Sequence, residues 1–179
     1  MPVYHSAFNE DVTARQLGNL PILPFKSKQR GLAPAPVDPT QDDIIDEAIA
    51  LFKANTFFRN FEIKGGADRL LIYLTLYILE CLGKLSKLPN AVEGNKILFT
   101  HAVQQFPLPG DATFPLNSMF EKPPTRQDAE FLKAYWTQMR QETGVRLIER
   151  IYQDDKPSKW WMCFAKRKFM GMTGVGTFQ

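Results

Sequence analysis

"ADRLLIYLTLYILECLGKL", residues 67–85, is the stretch that decides the fold. Leu70, Leu71, Ile72, Leu74, Leu76, Ile78, Leu79 and Leu82 cover every side of a helical wheel. A helix that is apolar all round is either the centre of a core or a membrane span. The apolar run lasts about 13 to 16 residues, is broken by Glu80 and follows Asp68 and Arg69, whereas a bilayer needs about 20. The stretch therefore predicts a buried central helix wrapped by other helices.

Upstream, Asp42 and Asp43 stand where acidic side chains cap a helix and complement its dipole. Ile44, Ile45, Ala48, Ile49, Phe52, Phe57 and Phe58 follow at helical spacing over about 17 residues. "KGG" then ends the element. Residues 1–41 hold "GNLPILPFK" and "GLAPAPVDPT" and read as a largely extended arm lying along other elements.

Downstream, "LPNAVEGNK" reads as a loop and "KILFTHAVQQF" as a short helix. "FPLPGDATFPLNSMFEKPPT" carries five prolines among apolar side chains and reads as a loop pinned to the body. The longest helix spans about Thr125 to Tyr152, with Thr125 as N-cap and Asp128 three residues on. Gly144 inside it costs about 1 kcal/mol relative to Ala, so a bend or a close helix contact is expected there. A last element starts at Ser158 and ends in Lys166, Arg167 and Lys168, and the Gly-rich residues 170–179 read as a mobile tail. No alternating strand pattern and no solenoid repeat is evident. The expected fold is an all-α irregular bundle around the apolar helix 67–85, with an extended N-terminal segment. It forms one domain over 1–179, with the helical body at 42–169.

The composition fits one globular domain: 179 residues, 44% hydrophobic, 23% charged, net charge +3. That charge is mild for a nucleic-acid protein. The first residues lack a charged-then-apolar signal layout, Gly is not at position 2, and Cys81 and Cys163 form no CxxC. A reduced cytosolic setting is expected.

Catalytic chemistry finds little support. His5 and His101 have no Cys or Asp at triad or ligand spacing. His5 is expected in an exposed segment and His101 as a partly buried helical side chain. "EIKGGADR" lacks the GxxxxGK[ST] of a phosphate loop, and "MGMTGVG" lacks the strand and helix of a dinucleotide fingerprint. Asp42, Asp43, Asp46, Glu47, Asp128 and Glu130 fall on helix starts and exposed faces and read as caps or solvated groups. Glu142 and Arg146, four apart in "RQETGVRLIERIY", read as a solvated charged face or a docking face. No catalytic residue, metal or cofactor is expected.

The remaining feature is "DDKPSKWWMCFAKRKF", residues 154–169, with five basic residues around Trp160 and Trp161. Aromatics among lysines can stack nucleic-acid bases, but this is one patch without a recognised module. A membrane-surface helix would have to be longer. Adjacent helical residues point about 100° apart. One Trp can thus pack inward while the other meets a protein partner, where Trp and Arg concentrate. The spacing leaves open which Trp does which. Lys159, Trp160, Trp161, Lys166, Arg167 and Lys168 are the candidate protein-interface residues.

"DKPSKWWMCFAKRKFM" resembles the C-terminal signature of the subunit 3 family (the small p21 subunit) of the actin-related protein 2/3 complex. "MPVYHS", "GNLPILP", "DIIDEAIALFKANTFFRNFEIKGGADRLLIYLTLYILECLGKL", "FPLPGDATFPLNSMFEKP" and "RQETGVRLIERIY" agree in order and spacing. The resemblance implies an all-α subunit and a non-catalytic role in nucleating branched actin filaments. In such a role it packs on actin-related protein 3 and lies near the mother filament. ATP then belongs to the actin-related subunits, and the setting is the cytoplasmic actin cytoskeleton, in cortical structures, projections or patches. The alternative is a stand-alone module that binds RNA or acidic lipid through Lys159, Trp160, Lys166 and Arg167.

Overall fold

The computed structural model describes residues 3–177. A 3-10 turn, Ala7–Glu10, precedes a hairpin of β1 (Arg15–Leu17) and β2 (Leu20–Ile22). The helices follow: α1 (Ile44–Asn55), α2 (Gly66–Leu85), α3 (Ala91–Val103) and α4 (Arg126–Ile151). A second hairpin, β3 (Tyr152–Gln153) and β4 (Lys156–Pro157), leads into α5 (Lys159–Met162). The molecule is mostly helical, but the two antiparallel hairpins correct the all-α expectation. Their strands are two or three residues long, too short for alternation to register in the sequence.

α2 packs against α1, α3, α4, β2 and the 3-10 turn. Its fifteen buried residues include Tyr73, Tyr77 and Cys81. Among the described residues no helix is long and apolar enough to cross a membrane. Tyr73 stacks on Trp136 of α4 at 4.0 Å between ring centroids. Phe114 and Phe120, from the Pro-rich loop, close on the same Trp136. The arm supplies Leu17, Leu20, Ile22, Leu23 and Phe25 to this core, and Tyr135 Oη donates to Leu23 O at 2.7 Å.

Several expectations change. α1 stops at Asn55, short of Phe58, because the Asn55 side chain turns to the arm and bonds the N–H and C=O of Tyr4. "AVEGNK" is helical, since Asn90 Oδ1 accepts from Glu93 N–H and caps α3. Gly94 within it faces Ile148, where an added Cβ would lie 2.8 Å from Cδ1. At Gly144 an added Cβ would lie 3.3 Å from Leu98 Cβ, so close packing of α3 on α4 accounts for that glycine. The Asp43 and Thr125 caps form as expected, Asp43 in a full capping box with Asp46.

Arg146 does not lie on a solvated face. Its guanidinium grips both Asp43 oxygens at 2.6 and 2.9 Å, reaches Asp46 and Glu142, and donates to Lys26 O. This ties the start of α1 and the arm to α4. His5 is not free either: its Nδ1 lies 2.8 Å from buried Asp68. His101 is fully inside, 2% exposed, with Nε2 at 3.0 Å from Glu80.

The segment expected to be a mobile tail is seated along 170–177. Phe169 and Val175 are fully buried, Val175 N–H donates to Glu80 Oε1, and Arg140 donates to Thr177 Oγ1. Its glycines allow close approach: a Cβ on Gly174 would lie 2.2 Å from Glu80 Oε1. Residues 1–2 of the expected arm and 178–179 of the expected tail lie outside the described residues.

Candidate protein interface

The β3–β4 hairpin aims α5. Asp154 and Asp155 both adopt positive φ, 50° and 58°, the conformation of a tight two-residue turn whose twist matches its strands. Asp155 Oδ1 also accepts from Ala91 N–H, so the turn is fastened to the start of α3. Ser158 N–H then donates to Ile151 O at 2.7 Å, and the chain folds back onto α1.

α5 is one turn, shorter than the helix expected through Lys168. Ser158 makes no side-chain cap bond, and Trp161 N–H and Met162 N–H bond to its carbonyl instead. From Cys163 to Arg167 the backbone continues as overlapping turns. A four-residue helix gains little from propagation, so side-chain anchors hold the segment.

One tryptophan is buried and the other is exposed. Trp161 is buried and stacks on Phe52 of α1 at 5.8 Å and 18°, with Lys53 Nζ 4.5 Å from its ring centre. Phe164 meets Phe52 and Phe57 edge-on. Trp160 is 79% exposed, with Lys159 beside it in the chain. Lys166, Arg167 and Lys168 are exposed as well. The Arg167 guanidinium covers the Phe57 ring at 4.3 Å, so it is tethered flat rather than free. Lys168 borders a cavity on another side of the segment, away from Arg167's aromatic partners.

Lys53 of α1 and Phe57, just past its end, complete the platform and were absent from the sequence-based set. The signal for Phe57 is "FFRNF" at 57–61, an aromatic and basic cluster where a helix ends. Arg59 is exposed nearby in sequence, and Phe57 is 60% exposed. The arrangement offers a large flat aromatic among cations on a rigid base. It suits a partner surface that supplies an apolar recess with acidic groups at its rim.

The model of the P21-Arc family, described as the ARP2/3 complex ARPC3 (21 kDa) subunit, matches residues 1–173. The actin-related protein 2/3 complex subunit 3 of Schizosaccharomyces pombe is 51% identical over 95% of this chain and 98% of its own. The probable subunit 3 of Caenorhabditis elegans is 49% identical over 98% of each chain. The Arabidopsis thaliana subunit 3 is 42% identical over 95% of this chain and 98% of its own.

Proposed function

The chain belongs to the P21-Arc family of ARP2/3 complex subunits, and from that premise we propose that it is a non-catalytic structural subunit of that complex, supporting nucleation of branched actin filaments. In this reading the face carrying Lys159, Trp160, Lys166 and Arg167 docks on a neighbouring subunit, chiefly actin-related protein 3, with the actin filament close by, while Lys168 lies outside that face. Trp161 serves the face from within by fixing the segment to α1. The setting is the cytoplasmic actin cytoskeleton, including cortical structures, projections or patches.

The observation that carries the interface is Trp160. A Trp left 79% exposed, next to a buried one that rigidifies its backbone, leaves a large apolar area in water. Such preorganised aromatics bind with little ordering cost. The surrounding cations would steer an acidic partner and set register more than they add affinity.

The test separates the two tryptophans. Tagged full-length chain is expressed, and the complex is captured and sized by chromatography. Trp160→Ala is expected to weaken assembly by about 2 kcal/mol, roughly thirty-fold in Kd. It should leave free-chain stability within about 0.5 kcal/mol. Trp161→Ala is expected to cost the free chain about 3 kcal/mol. Recovery of the wild-type chain only as a free monomer would refute the assembly role. Equal effects of the two substitutions on free-chain unfolding would refute the division between them.

A further inference from the structure

The strap 169–177 arches over an open cavity of about 630 Å³ between α2, the end of α3 and the strap itself. The strap is anchored by buried Phe169 and Val175, while between them Gly171 and Thr173 are exposed. The chain thus bridges the cavity rather than filling it. Neither the Trp160 face nor the Arg146 clamp needs such a space.

The charges around it are unbalanced. Lys84 and Lys168 line the rim, and among the described residues neither is in an ion pair. Behind the wall stands Arg140, 0% exposed, whose Nη1 donates to Thr177 Oγ1 and whose Nη2 donates to His101 O. Among the described residues, its remaining neighbours are the Tyr73 hydroxyl and the rings of Tyr77 and Phe106, and its Nε has no partner. Among the described residues no carboxylate is in ion-pair contact with it. A buried cation met only by neutral groups is costly and draws an anion. Among the described residues the one carboxylate in the wall, Glu80, is already engaged on both oxygens, by Val175 N–H and His101 Nε2. Among the described residues, two rim lysines and one cation buried behind the wall thus stand around one carboxylate that is already in use.

The strap adds donors. Among the described residues, the N–H groups of Gly171, Thr173, Gly174 and Gly176 find no acceptor. Backbone amides with no partner of their own suit a ligand with several acceptor oxygens. A monocarboxylate would match one lysine, whereas a tetrahedral, multiply charged group can meet both lysines and the amides together. The volume suffices for a small phosphorylated molecule.

We propose that this cavity is a binding site for a small phosphate-bearing anion, held between Lys84 and Lys168, along the strap amides, in the field of Arg140. Occupation would fasten the strap to α2 and balance the charge of Arg140. The same phosphate chemistry is offered by a soluble polyphosphate and by a lipid headgroup.

The full chain is titrated by calorimetry with inorganic phosphate and with pyrophosphate, and by co-sedimentation with phosphatidylcholine vesicles carrying a phosphoinositide. Saturable binding is expected, tighter for pyrophosphate than for phosphate. Lys84→Glu is expected to raise Kd at least about ten-fold, and Lys87→Glu, three residues further on and outside the cavity lining, to leave it unchanged. Pyrophosphate binding identifies a soluble ligand. Vesicle binding alone, lost in Lys84→Glu, identifies a headgroup. Lack of saturation by every probe, or equal losses in Lys84→Glu and Lys87→Glu, overturns the site. Unchanged melting of both variants excludes misfolding as the cause. Because no partner subunit takes part, failure here leaves the Trp160 interface standing.

Discussion

α2 and the C-terminal segment 159–177 lie against the same core and are held in opposite ways. In α2 nearly every side chain is buried, and the helix carries its own backbone hydrogen bonds. In the C-terminal segment only Trp161, Phe164, Phe169 and Val175 are buried, separated by lysines, an arginine and glycines that meet solvent. One region distributes its attachment over many neighbours, while the other concentrates it in a few anchors and close approaches. The second arrangement leaves side chains such as Trp160 and Lys168 free to meet something else. The core helix has few to offer, Lys84 at its last turn among them.

The comparison breaks first at Trp136. It is fully buried, stacked on Tyr73 of α2 and closed by Phe114 and Phe120. Trp136→Ala is expected to cost about 3–5 kcal/mol, read from the denaturant midpoint at constant slope. A loss below that of Trp161→Ala would mean that the distributed core is no stronger than the anchored segment. A smaller effect is expected at Gly174, where an alanine Cβ would press on a Glu80 side chain pinned by Val175 and His101. Overpacking of this kind costs about 1–3 kcal/mol, and here it should also lift the strap. Gly174→Ala is expected to speed hydrogen exchange at the Val175 amide while leaving α2 protected. Equal loss of protection in both would show that the strap and the helix open as one unit.

The same contrast explains what could be read beforehand. The helix at 67–85 was legible because burial on all sides leaves apolar residues on every face of the wheel. Asp43 and Thr125 were legible because a cap acts within its own four residues. The strap was misread because glycine carries two meanings, freedom and close approach, and only the Glu80 side chain standing against Gly174 chooses between them. Arg146 was misread for a similar reason. Its i−4 partner Glu142 is visible in sequence, but Asp43, 103 residues away, is the stronger contact and buries the pair. The two hairpins escaped because pairs of two or three residues have no period. The tryptophan pair was legible as one inward and one outward residue. Assigning Trp161 to the inside required Phe52, which arrives from α1.

The smallest test concerns the start of α2, where polar anchors tie it to the arm. Asp68, in its first turn, is fully buried and accepts from Ser6 N–H and Lys64 N–H, with His5 Nδ1 at 2.8 Å. Burial alone would push its carboxyl up, but these donors outweigh it, and the group lies below its ordinary value. A carboxyl depressed in the folded state stabilises fully above the unfolded value of about 4 and loses that contribution as pH falls through the folded one. Glu47 works the other way: desolvation raises it, helped by the Asp68 charge. It therefore costs stability while ionised and gives some back on protonation. The acid limb of the stability curve is the difference between the two. Asp68→Asn is expected to cost about 1 kcal/mol near neutral pH and to flatten the fall below pH 4, whereas Glu47→Gln is expected to steepen it. Both follow from denaturation midpoints measured across pH. An unchanged acid limb in Asp68→Asn would mean that the tie between the arm and α2 is carried by packing rather than by charge, which would place the start of α2 in the same class as its middle.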